Sequence, residues 1–149
     1  MILPDVSLLI QAHNGGSSHH EQARDWWDAV LSGTALVALP WVTLLGFIRL
    51  TTNRTIFERP LPLDEVLWRV EAWLAQPNVR IVHPTERHSK LLFHFLRTLG
   101  TAGNLTTDAH VAALAVEHGC TLYSTDADFA RFPGLRWSNP ITSRRSRAD

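Results

Sequence analysis

One cysteine, Cys120, occurs in the 149 residues, so neither an intramolecular disulfide nor a cysteine-built metal cluster is open to the chain. It falls between Gly119 and an apolar stretch, where a half-buried small residue is expected. Lysine is equally scarce. Lys90 stands alone beside thirteen Arg, a bias that suits bidentate phosphate contacts but that Arg-rich codon usage explains as readily. Fourteen basic and fourteen acidic side chains leave no net charge, which excludes a polyelectrolyte. Any nucleic acid must then be gripped by a local patch. No apolar run approaches the roughly 18 residues of a membrane span, and MILPDVSLLI has neither a basic leader region nor a cleavage site. The expectation is a protein made and kept in a reducing cytoplasm, without a membrane partner. Neither G-x-x-x-x-G-K-[ST] nor G-x-G-x-x-G after a strand occurs, so nucleotide-binding folds lack their phosphate cradle. The eight histidines include no H-x-x-x-H pair, which argues against zinc. Structural or surface roles are expected for His13, His83, His88, His94 and His118, and a packing role for His110.

What is present is an ordinary globular balance, 45% apolar and 19% charged, at about the length of one domain. Short apolar strands are expected at 2–3, 35–39, 79–82, 121–123 and 135–137. Between them the spacing predicts helices over 6–11, 19–31, 40–50, 63–75, 107–118 and from Thr85 or its neighbour to Leu99. Residues 100–104 read as a flexible break, and 129–132 as one helical turn. The six Trp fall mostly on apolar faces, where core packing is the expectation. Strands alternating with helices imply a mostly parallel sheet covered on both faces, a three-layer α/β/α architecture spanning residues 1–140. Residues 141–149, with Arg144, Arg145 and Arg147, read as a solvated, flexible tail.

In parallel sheets ligands bind beyond the carboxyl ends of the strands. Asp5 and Asp126 each follow a predicted strand, and Asp108 opens a helix after a Gly/Asn loop, so three carboxylates can meet at one edge. Burying such charge without a partner costs several kcal/mol. Clustered Asp oxygens with no thiol suit Mg²⁺ or Mn²⁺, which activate water and neutralise charge on a phosphodiester. Taken singly, each Asp also reads as a helix cap or a strand-end turn residue, Asp108 above all.

The segments MILPDVSLLIQAHN, PWVTLLGFIRLTTN and GNLTTDAHVAALAVEHGCTLYSTDADFARFPGLRW carry a combination of D-x-S, N-L-x-x-D-A-H and S-T-D-x-D-F, in order and up to about Pro140. This pattern resembles the PIN-domain ribonucleases, and within them the toxin halves of bacterial VapBC-type toxin–antitoxin pairs. The resemblance implies a PIN-like, Rossmann-like fold with about five strands, and a metal-dependent endoribonuclease toxin that stops growth until a VapB-type antitoxin neutralises it. It implies Asp5, Asp108 and Asp126 as catalytic metal ligands for Mg²⁺ or Mn²⁺. Asp128 is then a fourth or outer member, and Ser7, Asn104 and Thr125 are the small polar residues that orient the acids. Homodimerisation follows from the family alone. One position departs: many PIN domains carry a Glu about three residues before an Arg in the helix after the second strand, and here Gly46 precedes Arg49. Gly46 leaves one metal position without its carboxylate and supports the alternative of a catalytically weak module that binds RNA or an antitoxin. Arg49 is open to two roles, pairing with a carboxylate or contacting phosphate.

Overall fold

The computed structural model describes residues 1–141. Its centre is a sheet of five short strands, β1 (Ile2–Pro4), β2 (Val37–Pro40), β3 (Val79–Val82), β4 (Thr121–Tyr123) and β5 (Trp137–Ser138), in the order β3-β2-β1-β4-β5. Every pairing is parallel, with Ile2 opposite both Val37 and Thr121. The helices are α1 (Val6–His13), α2 (His20–Ser32), α3 (Trp41–Thr51), α4 (Leu63–Leu74), α5 (His88–Leu99) and α6 (Thr106–Glu117).

Alternation along the strands divides the core. Leu3, Ala38 and Leu122 face α5 and α6, while Val37, Leu39 and Val79 face α1 to α4. The three-layer expectation holds, and the sheet is parallel throughout. Phe47, Trp27 and Trp73 fill the α1–α4 side, with Phe47 and Trp73 ring centres 4.6 Å apart. Core packing is right for Trp27 and Trp73, but Trp41 and Trp68 are 46% and 66% exposed.

Several boundaries differ from the sequence reading for identifiable reasons. Helix α5 begins at His88: Thr85 sits in the turn before it, its Oγ1 accepting from the Arg87 N–H at 3.1 Å and its carbonyl from the His88 N–H at 3.0 Å, while its own N–H and hydroxyl donate to Glu117 Oε1 at 3.0 and 2.6 Å. Part of the supposedly flexible 100–104 break is a 3-10 turn, Gly103–Leu105, and the turn expected at 129–132 spans Ala127–Arg131. Cys120 is fully buried, not half-buried. Ile141 is buried against the α1–α4 side and belongs to the core. The remaining tail, with Arg144, Arg145 and Arg147, lies outside the described residues. No helix among the described residues is long and apolar enough to cross a membrane.

Asn78 closes the far side of the sheet. Its Nδ2 donates to Val30 O and Ala35 O, both at 3.1 Å, and ties the end of α2 to the approach to β2. Asn78→Ala removes both bonds, leaving Val30 O its Gly33 N–H and exposing Ala35 O to water, and should lower unfolding free energy by about 0.5–1.5 kcal/mol, read as a lower urea midpoint at unchanged slope. A loss within error of zero would mean that water replaces the amide.

Candidate active site

Strand order reverses at β1: β2 and β3 lie on one side of it, and β4 and β5 on the other. The crevice at such a reversal, beyond the carboxyl ends of the strands, is where open α/β sheets bind ligands. Asp5 follows β1 and Asp126 follows β4 by three residues, so both stand at this place. The Asp5 N–H donates to Tyr123 O at 2.8 Å, which extends the β1–β4 ladder to the rim.

Asp5 is almost fully buried at the N-terminal end of α1, yet its side chain caps no backbone N–H there. Its Oδ2 instead accepts from Ser7 Oγ at 2.7 Å and Ser124 Oγ at 2.8 Å. Both bonds go to one oxygen, leaving Oδ1 without a side-chain donor among the described residues. Ser124 is wholly buried and holds three elements at once. Besides donating to Asp5, its Oγ accepts from the Asp126 N–H at 3.0 Å, and its carbonyl accepts from Trp137 Nε1 at 3.0 Å.

Asp108 is the third residue of α6, so it is not the cap that a single-residue reading allowed. It lies in the positive first turn, where a carboxylate is favoured. Asp126 does cap, accepting from the Asp128 N–H at 2.9 Å to start the following 3-10 turn. Asp126 and Asp128 are exposed. Desolvation, followed by the negative charges of Asp5, Asp126 and Asp128, pushes Asp108 from 3.8 up to about 6. All four acids therefore share one field.

Asp5 and Asp108 line a small cavity of about 50 Å³ with Val6, Val42, Thr43, Thr107 and Val111. Val6, Val42 and Thr107 also belong to a larger groove of about 520 Å³ that continues along α3 past Leu45, Gly46, Ile48 and Arg49. Among the described residues no three acid, histidine or cysteine side chains stand close enough to grip one ion as they are placed. The donor chemistry nonetheless fits a hard divalent cation, with carboxylate and hydroxyl oxygens and no thiol or imidazole.

Not every expected residue converges. Ser7 Oγ donates to Asp5, but the hydroxyl after β4 that does so is that of Ser124, not Thr125, whose Oγ1 accepts from Gln11 Nε2 at 3.2 Å. Asn104 is exposed on its 3-10 turn and bonds to none of the acids. His110 faces α5: its Nδ1 lies 2.8 Å from His88 Nε2, and His88 Nδ1 lies 2.6 Å from Glu117 Oε2. Arg49 has no carboxylate partner among the described residues and lines the groove.

With this geometry in place, comparison with known proteins decides the family. A PIN domain profile matches residues 2–135. The chain is 45% identical to Ribonuclease VapC37 of Mycobacterium tuberculosis over 140 residues, 94% of this chain and 97% of that protein. It belongs to the VapC ribonucleases of the PIN-domain family. Solved structures agree on the fold. VapC20 of Mycobacterium tuberculosis, described as a Sarcin-Ricin loop cleaving toxin, superposes with a TM-score of 0.65 at 21% identity over 91% of this chain and 99% of that one. DNA-bound VapBC from Salmonella typhimurium gives 0.66 at 18% identity, covering 94% and 98%.

The Asp108 shift makes a stability prediction. A carboxyl whose folded pKa lies above its unfolded value is disfavoured as an anion in the fold, so its contribution falls as pH rises from about 4 to about 6. In chelator, Asp108→Asn should raise the melting temperature relative to wild type at about pH 7.5, and the gap should close near pH 4. An equal gap at both pH values would separate Asp108 from the shared field.

Proposed function

We propose that the chain is a metal-dependent endoribonuclease toxin, with Asp5, Asp108 and Asp126 holding Mg²⁺ or Mn²⁺. The observation that carries the reading is the gathering of acids at the strand-order reversal, where Asp5 and Asp108 line one cavity and Asp126 follows the neighbouring strand; burial first, and the three other carboxylates next, raise the pKa of Asp108 there. A cap or turn role requires no such gathering. When bound, the cation supplies a more acidic water and neutralises charge on the phosphodiester in the transition state. The chain's own work is positioning. Ser7 and Ser124 fix Asp5 with one oxygen turned away from them, and Asp126 is tied through its N–H to the same Ser124 hydroxyl. Asp108 and Asp126 close in from the rim, and Asp128 stays in the outer shell. Mg²⁺ and Mn²⁺ keep several waters, so three protein oxygens suffice.

The substrate in this reading is RNA, and the partner is a VapB-type antitoxin. The family name of its relatives and the VapBC architecture of its structural neighbours support this. The apolar groove beside the acids, ending on Arg49, has the character of a site for an amphipathic antitoxin segment that obstructs the cleft. A homodimer rests on the family resemblance alone.

Asp5→Asn should abolish RNA cleavage and growth arrest, by at least about a hundredfold if it removes electrostatic support in the transition state. The same variant should keep a cooperative melt. Undiminished cleavage by folded Asp5→Asn would refute the site.

Gly46 supports the second reading, a module that binds RNA or antitoxin while cleaving weakly. A Cβ at Gly46 would lie 3.3 Å from Val6 Cγ2, so a larger residue requires Val6 to yield by a few tenths of an ångström. If Gly46 marks a lost ligand position, Gly46→Glu should tighten Mn²⁺ binding in calorimetric titration and raise cleavage on the same preparation. If α3 has instead repacked on α1, a folded Gly46→Glu will bind Mn²⁺ no better, and the lost-ligand idea fails.

A further inference from the structure

The outer face of α5 holds a group of side chains that the acid cleft does not use. At 3.6 residues per turn, Arg87, Lys90, His94 and Arg97 fall within roughly 80° of arc along about 15 Å of helix, and Phe93 borders them. All five are exposed, Phe93 by 49%. The opposite arc does the packing, with Phe95 buried and Leu91, Leu92, Leu96 and Leu99 partly buried against the sheet and α6. From His88 to Leu99 there is no acid at all. Among the described residues Arg87, Lys90 and Arg97 have no carboxylate within ion-pair distance, whereas Arg69 pairs with Glu65 at 2.7 Å, and Arg80 and Arg136 turn to backbone carbonyls. In a chain of zero net charge this face is a local cationic excess, and it contains the only lysine.

The direction of the stripe matters as much as its charge. His88, which opens α5, contacts Glu117 at the end of α6, so the two helices run antiparallel. The last turn of α5, with Arg97, therefore lies toward the first turn of α6, with Asp108. Only the 100–105 connection separates them. The Arg97 end of the stripe is thus the end from which the chain passes, through 100–105, to Asp108.

We propose that this face is the track along which single-stranded RNA reaches the cleft, with Arg87, Lys90 and Arg97 neutralising successive phosphates and Phe93 stacking a base. A cationic strip with an aromatic platform is how proteins hold single strands without reading sequence. The charge also adds to Arg49 in offsetting the repulsion that the carboxylates exert on a polyanion. A second copy of the chain fits this face poorly, since a twofold contact would set the same cations against one another. The inference rests on the ribonuclease reading of the acid site.

The test uses Asp5→Asn as the parent, so that RNA is bound without being cut, and measures anisotropy of a fluorescein-labelled, unstructured RNA across a salt series. Replacing Lys90 and Arg97 together by Ala should weaken binding and flatten the slope of log K against log salt by about 1.4, since each phosphate contact on a single strand contributes about 0.7. Phe93→Ala should weaken binding roughly tenfold with the slope unchanged. Arg24→Ala, on the outer face of α2, should change neither. Parental affinity and slope in the folded α5 variants, while wild type still cleaves RNA, would overturn the track and leave the nuclease reading standing. No cleavage by wild type and no RNA binding by the parent would overturn both. A change in sedimentation of the α5 variants with RNA binding intact would assign the face to a copy of the chain and overturn the proposal.

Discussion

The Asp5 carboxylate is buried where β1 and β4 end, and it is held by two hydroxyls on a single oxygen. A buried carboxylate is tolerable only if its lost hydration is replaced. Ser7 and Ser124 replace half of it, and the orientation they impose turns the other oxygen away from both. Much of the surrounding architecture serves that arrangement. The Asp5 N–H prolongs the β1–β4 ladder, the Ser124 carbonyl accepts from Trp137 on β5, and the same Ser124 hydroxyl fixes the Asp126 backbone. The strands that meet at the reversal are joined there by side-chain hydrogen bonds as well as by their ladder.

Asp108 reaches this place because α6 lies close to the sheet. Ala109, Ala112, Ala113 and Ala115 are fully buried, and small side chains let a helix backbone approach its support. A bulkier inner face would lift the first turn of α6 away from Asp5 and Asp126. The placement has a cost, visible in the raised pKa of Asp108, which comes first from burial and then from the neighbouring carboxylates. Ordinary packing would favour spreading these charges, so their proximity argues for a cationic ligand.

How much of this was legible in the sequence depended on the range of the interactions involved. Strand 79–82 and strand 121–123 were read to the residue, because short β-favouring runs bounded by turn signals are local facts. Asp5, Asp108 and Asp126 were placed at one edge by topology alone. Ser124 was missed in favour of Thr125, although the two-residue period of the strand puts Ser124 on the face of buried Leu122 and turns Thr125 toward Gln11. That signal was present and unread. The start of α5 was not readable in the same sense, since the turn that precedes it is anchored by Thr85 donating to Glu117, 32 residues away. Asn104 shows a related limit: motif position names a residue, and here the fold leaves it exposed on its 3-10 turn with no bond to the acids.

Gly46 joins two facts that the sequence presents as one absence. The residue carries no carboxylate, and the place where its Cβ would stand is within 3.3 Å of Val6 Cγ2, next in chain to Asp5. The glycine that omits an acid thus also lets α3 come close to α1 beside the cleft. The consequence is a site with unlike walls. One side, from the ends of β1 and β4 and the start of α6, supplies every carboxylate. The other, from α3, supplies Val42, Leu45 and Ile48 and the cation Arg49. Apolar surface and a cation on the α3 side lower the local polarity and strengthen attraction to negative charge, while the acids opposite repel it. An anion entering such a cleft meets Arg49 on one wall and carboxylates on the other, so the asymmetry by itself favours the orientation that turns its charge toward Arg49.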